Sequence, residues 1–231
     1  MITLLLKQKN YLIEKHFCDV LTFLLSLALN KKRFMKALIL IDIQNDFMPG
    51  GALAVSQGDE IIPFVNDAIQ SDYDLVVATQ DWHPLSHKSF ASNHKDKKVF
   101  DIIDLHGIKQ VLWPNHCVQG TSGADLHPQL QTEKIEAIFR KGTNLEIDSY
   151  SAFFDNNRKN STGLHGYLQE KGIKSLTFCG LAGDFCVAYS VNDALSLGYE
   201  VRLLQAAIRS ISVQTYAEYV KTWKSKGVQF I

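Results

Sequence analysis

The chain has 231 residues, 46% hydrophobic and 21% charged, with 24 Lys+Arg against 24 Asp+Glu. That is enough for one domain with a full-sized core and too little for two ordinary ones. Zero formal net charge gives no electrostatic reason to expect a nucleic-acid partner, and four cysteines without a tight framework point to free thiols in a reducing compartment, the cytoplasm.

Residues 1–35 carry six Lys/Arg and two Asp/Glu, so they are net +4 and residues 36–231 are net −4. The apolar run VLTFLLSLAL (20–29) is too short for a bilayer, which takes roughly twenty residues. NKKRFM follows it where a signal peptide needs a small-residue cleavage site, and Glu14 and Asp19 interrupt the basic stretch before it. Three readings stay open: a start assigned too early, with Met35 as the first residue; an amphipathic helix packed on the domain or on a partner; or an anchor lying on a membrane surface. A strand pattern beginning directly after Met35 favours the first, and no membrane association is expected.

From residue 36 short β-rich runs alternate with helical stretches, which predicts an α/β domain over 36–231 with a mainly parallel sheet. Strands are expected at 37–42, 74–79, 135–139, 175–179, 199–204 and 228–231, and helices at 59–70, 161–171, 184–197 and 213–226. Gly172, Gly198 and Gly227 each follow a helical run, as helix-ending glycines do. Residues 80–134 show little periodicity, and so long a loop in a small domain is usually functional.

Ligands of open parallel sheets bind beyond the carboxyl ends of the strands. Asp42 ends the first strand, Asp81 and His83 follow the second, Lys141 the third, and Cys186 the fourth. Cys179, inside a strand, reads as a small core residue. Cys186 opens a helix, whose N-terminal dipole and free N–H groups would lower its pKa and could hold an oxyanion; a buried structural thiol is the alternative. Asp42 is either a turn carboxylate or the base for that thiol, and Asp46 reads as structural. Lys141 is either a solvated charge or an ammonium beside both. Asp81, His83, His87 and His116 make a donor set suited to a divalent first-row metal, Zn, Fe or Mn, although scattered histidines are common on surfaces. His94, His106, His127 and His165 read as packing or surface residues.

In order, LILIDIQNDFMPGGAL, VVATQDWHPLSHKSFASNH, LWPNHCVQGTSGADLHP, FRKGTN, DSYSAFFDN and GLAGDFCV resemble the nicotinamidases (pyrazinamidases) of the isochorismatase-like cysteine hydrolases, over residues 36–231. The resemblance implies a six-stranded, mainly parallel sheet with helices on both faces, and an Asp42–Lys141–Cys186 triad. It also implies one divalent metal on Asp81, His83 and His116, with His87 matching a fourth ligand in some members. Backbone N–H groups of Ala182 and Cys186 would form the oxyanion hole, with a cis peptide after Ala182. Phe47 and Trp113 would wall the pocket. The implied activity is hydrolysis of nicotinamide to nicotinate and ammonia in NAD salvage. Gly183 departs from the family, which usually has Thr or another β-branched residue there. A related small-amide or carbamoyl hydrolase and an inactive ligand-binding member are the rival readings. A homo-oligomer is compatible with either. No Gly-x-Gly-x-x-Gly follows the first strand, which argues against a dinucleotide site.

Overall fold

A computed structural model describes residues 34–231, so the three readings of the N-terminal stretch lie outside the described residues apart from its last two positions. Six strands form one sheet: β1 (Met35–Ile41), β2 (Leu75–Asp81), β5 (Ala137–Lys141), β6 (Ile173–Gly180), β7 (Glu200–Ile208) and β8 (Gln229–Phe230). Their order is β5-β2-β1-β6-β7-β8, with every neighbouring pair parallel. The strand expected at 37–42 starts at Met35 and stops before Asp42, and the one expected at 135–139 sits at 137–141. The unbroken apolar character of ALILI and LVVA follows from their central positions, where both faces are covered.

Alternate residues of β1 enter two different cores. Ala37, Ile39 and Ile41 pack with α2 (Leu164–Glu170), α3 (Cys186–Ser196) and α4 (Val213–Ser225), through Leu164, Leu168, Val187, Val191 and Trp223. Leu38 and Leu40 pack with α1 (Ile62–Gln70), through Ile62, Val65 and Ile69. Among the described residues, one α-helix therefore covers one face and three cover the other. Among the described residues no helix is long and apolar enough to cross a membrane.

The region 80–134 is more ordered than its weak periodicity implies. It holds an antiparallel hairpin, β3 (Ile102–Leu105) with β4 (Ile108–Val111), turned by Gly107 at φ +83. Its two arms also run beside each other in parallel bridges, His83 with Val118 and Phe90 with Trp113. The chain leaves β1 toward β2 and leaves β6 toward β7, on opposite sides. This makes the gap between the carboxyl ends of β1 and β6 the topological switch point, where a ligand crevice is expected.

Candidate active site

Asp42 and Cys186 follow the two strands that flank that crevice, and a lysine from the sheet edge reaches in to join them. Lys141 is the last residue of β5 and is 2% exposed. Its Nζ lies 2.9 Å from Asp42 Oδ2, 2.5 Å from Asp81 Oδ1 and 3.4 Å from Cys186 Sγ, and it donates to the Ser149 carbonyl at 3.0 Å. An ammonium this deeply buried is tolerable only because two carboxylates surround it. Burial alone would lower the Lys141 pKa, but Asp42, Asp81 and Cys186 hold it well above the ordinary value, so it stays charged.

The same burial opposes ionisation of both carboxyl partners, and their neighbouring charges decide the outcome. It raises Asp42 to about 6 against the pull of Lys141. It works against ionisation of Asp81 too, yet Lys141 and His83 hold that carboxyl well below the usual range. The expected depressed pKa of Cys186 is overturned. The thiol opens α3 as the sequence implies, but it is 6% exposed, and the cost of burying a thiolate outweighs Lys141 and pushes its pKa well above normal. Cys186 is thus a protonated thiol beside a carboxylate raised to about 6. Cys179 is a fully buried strand residue whose thiol is also pushed up by burial.

Asp81, His83 and His116 come together as one donor cluster, their ligating atoms within 4.8 Å of one another. The pairing of the two arms supplies the geometry: His83 N–H donates to the Cys117 carbonyl at 3.0 Å, and Gln119 N–H donates to the His83 carbonyl at 2.9 Å. His83 Nδ1–H is directed at the Gly142 carbonyl (2.9 Å) and His116 Nδ1–H at the Pro114 carbonyl (2.8 Å). Carbonyls only accept, so in the neutral rings the lone pairs are on the Nε2 atoms, which face Asp81 Oδ2 at 3.6 and 3.8 Å. Asp81 raises the His83 pKa against the cost of burial, so a neutral His83 is the form a cation there would select. His83 Nε2 is buried without a hydrogen-bond partner, and burial lowers the His116 pKa to about 4, keeping that ring neutral. Such a set fits a divalent metal ion. Gly142 lets His83 pack there, since a Cβ at that position would meet the ring at 2.2 Å. Gln44 holds Asp81 by both backbone groups, accepting from its N–H and donating to its carbonyl, each at 2.8 Å. His87 groups with His83 and Asp148 instead, and has a different tautomer: Ser89 N–H donates to its Nδ1 at 3.1 Å, so the proton of the neutral ring sits on Nε2. Asp46 has the structural role expected of it, accepting from Cys117 N–H at 2.7 Å and Ala52 N–H at 3.2 Å.

A narrow pocket with a cavity volume of only about 20 Å³ joins these groups. Phe47 and Trp113 line it as expected, with His116, Ala182 and Cys186. Tyr150, Phe185, Asp148, Leu53 and Ile211 also line it and were not singled out from the sequence. The signal for two of them is present, because Tyr150 lies within DSYSAFFDN and Phe185 adjoins Cys186. Trp113 is fixed edge-on to Phe185 (4.9 Å between centroids), and its Nε1–H donates to the Tyr150 hydroxyl at 3.0 Å.

At the corner between β6 and α3, the N–H groups of Gly183, Phe185 and Val187 are all used by backbone carbonyls. Those of Ala182 and Cys186 have no backbone acceptor among the described residues. The cis peptide lies before Ala182, at Leu181–Ala182, and not after it as expected. Leu181 N–H still pairs with the Ile41 carbonyl (2.9 Å), so the sheet continues to Leu181 and the chain turns immediately beyond. Gly183 has a steric explanation instead. A Cβ there would lie 2.4 Å from Ser210 Oγ, 2.9 Å from Ile208 Cγ2 and 3.0 Å from Tyr216 Cδ2. Gly183→Thr should therefore destabilise the fold by about 1–3 kcal/mol through overpacking. A thermal unfolding midpoint equal to that of the unaltered protein would contradict this.

A cysteine held against an Asp–Lys pair and a small aromatic pocket, all at the switch point of a parallel α/β sheet, are the parts an amide hydrolase of the cysteine type requires. A family model described as the isochorismatase domain matches residues 36–231, and the chain belongs to that family. The nicotinamidase of Acinetobacter baylyi is 47% identical over 198 residues, 84% of this chain and 91% of that protein. The crystal structure of the yeast nicotinamidase bound to the inhibitor nicotinaldehyde superposes with a TM-score of 0.81 at 32% identity, covering 85% of this chain and 99% of that one. The pyrazinamidase of Pyrococcus horikoshii in complex with zinc gives 0.70 at 37% identity, covering 85% and 98%.

Proposed function

We propose that this protein hydrolyses nicotinamide to nicotinate and ammonia in NAD salvage, through a thioester on Cys186. The observation that carries the reading is Lys141 Nζ in contact with Asp42, Asp81 and Cys186 at once, because it joins the acylation machinery to the donor cluster across one small pocket. The relatives' activities and their bound nicotinaldehyde and zinc support the substrate and the metal. Purified protein incubated with nicotinamide should release ammonia and nicotinate in equal amounts.

Phe47 and Trp113 receive the ring. Asp81, His83 and His116 would hold one Zn, Fe or Mn ion, since mixed N/O donors discriminate weakly among these. When bound, that ion supplies a Lewis-acid anchor for the pyridine nitrogen. His87 is outside this set because its Nε2 carries the proton. Asp42 takes the Cys186 proton as sulfur attacks the carboxamide carbon, and the N–H groups of Ala182 and Cys186 hold the oxygen of the tetrahedral intermediate. Asp42 returns the proton to the leaving amine, and ammonia departs. It then deprotonates water for attack on the thioester, releasing nicotinate and restoring the thiol. Lys141 keeps its charge throughout and stabilises both anionic partners.

The base must be ionised in the free enzyme, and its folded pKa is raised to about 6. The kcat/KM for nicotinamide should accordingly be level above that value and fall about tenfold per pH unit below it. A profile level down to pH 4 would remove Asp42 from this role.

We also assign residues 36–231 to the hydrolase domain, consistent with Met35–Ile231 being one compact unit, and place the protein in the cytoplasm, where buried free thiols such as Cys117, Cys179 and Cys186 persist. A chain starting at Met35 should fold and be fully active, since no catalytic residue precedes Asp42. Aggregation or loss of turnover in that truncated chain would instead show that the domain needs residues 1–34.

A further inference from the structure

Thr79, in the buried strand β2, belongs neither to the triad nor to the donor cluster. Its hydroxyl makes two hydrogen bonds to one residue: it accepts from Asp42 N–H at 3.1 Å and donates to Asp42 Oδ1 at 2.6 Å. Asp42 is the first residue past β1 and has φ +48, in the left-handed region that most side chains avoid. The Asp42 carbonyl is held by Gln44 N–H at 2.9 Å, and Oδ2 lies 2.9 Å from Lys141 Nζ. Thr79 thus holds two polar groups of Asp42. Oδ2 is buried with the Lys141 ion pair and no hydrogen bond, in a carboxylate that has an oxygen within 4.8 Å of Cys186 Sγ.

We propose that Thr79 is the positioning residue that aims the catalytic carboxylate: by holding the N–H and Oδ1 of Asp42 together, it commits Oδ1 and leaves Oδ2 to take the proton from Cys186. This deepens the amidohydrolase reading and rests on it. The hydroxyl acts in both directions at once, since its lone pair is used by the Asp42 N–H and its proton has the carboxylate as acceptor. Without it the carboxylate could rotate and present both oxygens to Lys141, leaving no oxygen directed at the thiol. A buried N–H would also lose its partner. The proton balance is simple: one proton leaves Sγ for Oδ2, giving a thiolate and a neutral carboxyl group, and later passes to the departing amine.

The test compares Thr79→Ser with Thr79→Ala, both lacking the methyl group and differing only in the hydroxyl. Thr79→Val, which keeps the shape and lacks the hydroxyl, pairs with Thr79→Ser should the alanine variant fold poorly. The readouts are kcat and KM for nicotinamide, and the rate at which iodoacetamide alkylates Cys186 without substrate. The variants lacking the hydroxyl should lose roughly 10–10²-fold in kcat, as a misaimed group does, with little change in KM. They should also alkylate correspondingly slowly, while Thr79→Ser stays close to the unaltered protein in both. Alanine and serine variants that match each other in both readouts would overturn the proposal, as would a defect confined to KM. Alkylation needs no substrate, so it judges Thr79 separately from the identity of the amide, which turnover by the unaltered protein decides.

Discussion

Cys186→Ala should abolish ammonia release from nicotinamide, lowering kcat on the order of 10⁴-fold or more, because among the described residues no other thiol lines the pocket. Asp42→Asn should be comparably severe. The thiol is held protonated by burial, so it depends on a neighbouring base to become nucleophilic, and the amide of Asn cannot accept that proton. The two losses should not add in the double variant, as expected of groups acting in one unit. Cys179→Ala should behave differently. That thiol lies inside β6 away from the pocket, and its removal should cost about 1 kcal/mol of stability with turnover retained. Mass spectrometry of acid-quenched enzyme should find the nicotinoyl adduct on Cys186, and an adduct on Cys117 or Cys179 would overturn the assignment.

Stripping the metal should raise the nicotinamide KM and reduce kcat/KM on the order of 10²-fold or more, while Cys186 remains open to alkylation. The donor cluster and the nucleophile share Lys141 and Asp81 but stand on different segments, which is why ring binding and thiol reactivity should separate. His116→Ala should reproduce the effect with metal present, since it removes one of the two Nε2 donors facing Asp81. Benzamide, which lacks the ring nitrogen, should be a poor substrate in either state. Equal turnover of benzamide and nicotinamide by the metal-loaded enzyme would favour a general small-amide hydrolase. Alkylation lost together with the metal would mean that the ion shapes the nucleophile's corner.

Much of this architecture is written in local pattern. Unbroken apolar runs such as ALILI and LVVA mark strands covered on both faces, and they carry their chemistry at the next residue or two: Asp42, then Asp81 and His83. The opening of α3 at Cys186 is legible for the same reason, because hydrophobic periodicity reports secondary structure over a turn or two. What periodicity does not carry is which distant segments meet. The pairing of the arm at 83–90 with the arm at 113–118, which brings His83 to His116, rests on backbone hydrogen bonds that any sequence can make. The β3–β4 hairpin was missed because its strands are only four residues long and partly exposed, leaving a weak alternation to read. Tyr150 and Phe185 become pocket walls only through what folds around them.

Gly183 and Cys186 mark the limit most clearly. From the sequence, Gly183 is a departure from a family pattern. In the folded chain Ser210, Ile208 and Tyr216 already occupy the space a side chain would need. The helix start at Cys186 by itself argues for a thiolate, through dipole and free N–H groups, and local pattern determines that start. The protonation state depends on desolvation, which is set by every element that closes over the sulfur. The sequence by itself therefore determined where the strands end and which reactive groups stand there. The tertiary structure decided which of them touch and how burial sets their charge, because packing distance and exclusion of water are properties of the assembled layers and not of any one segment.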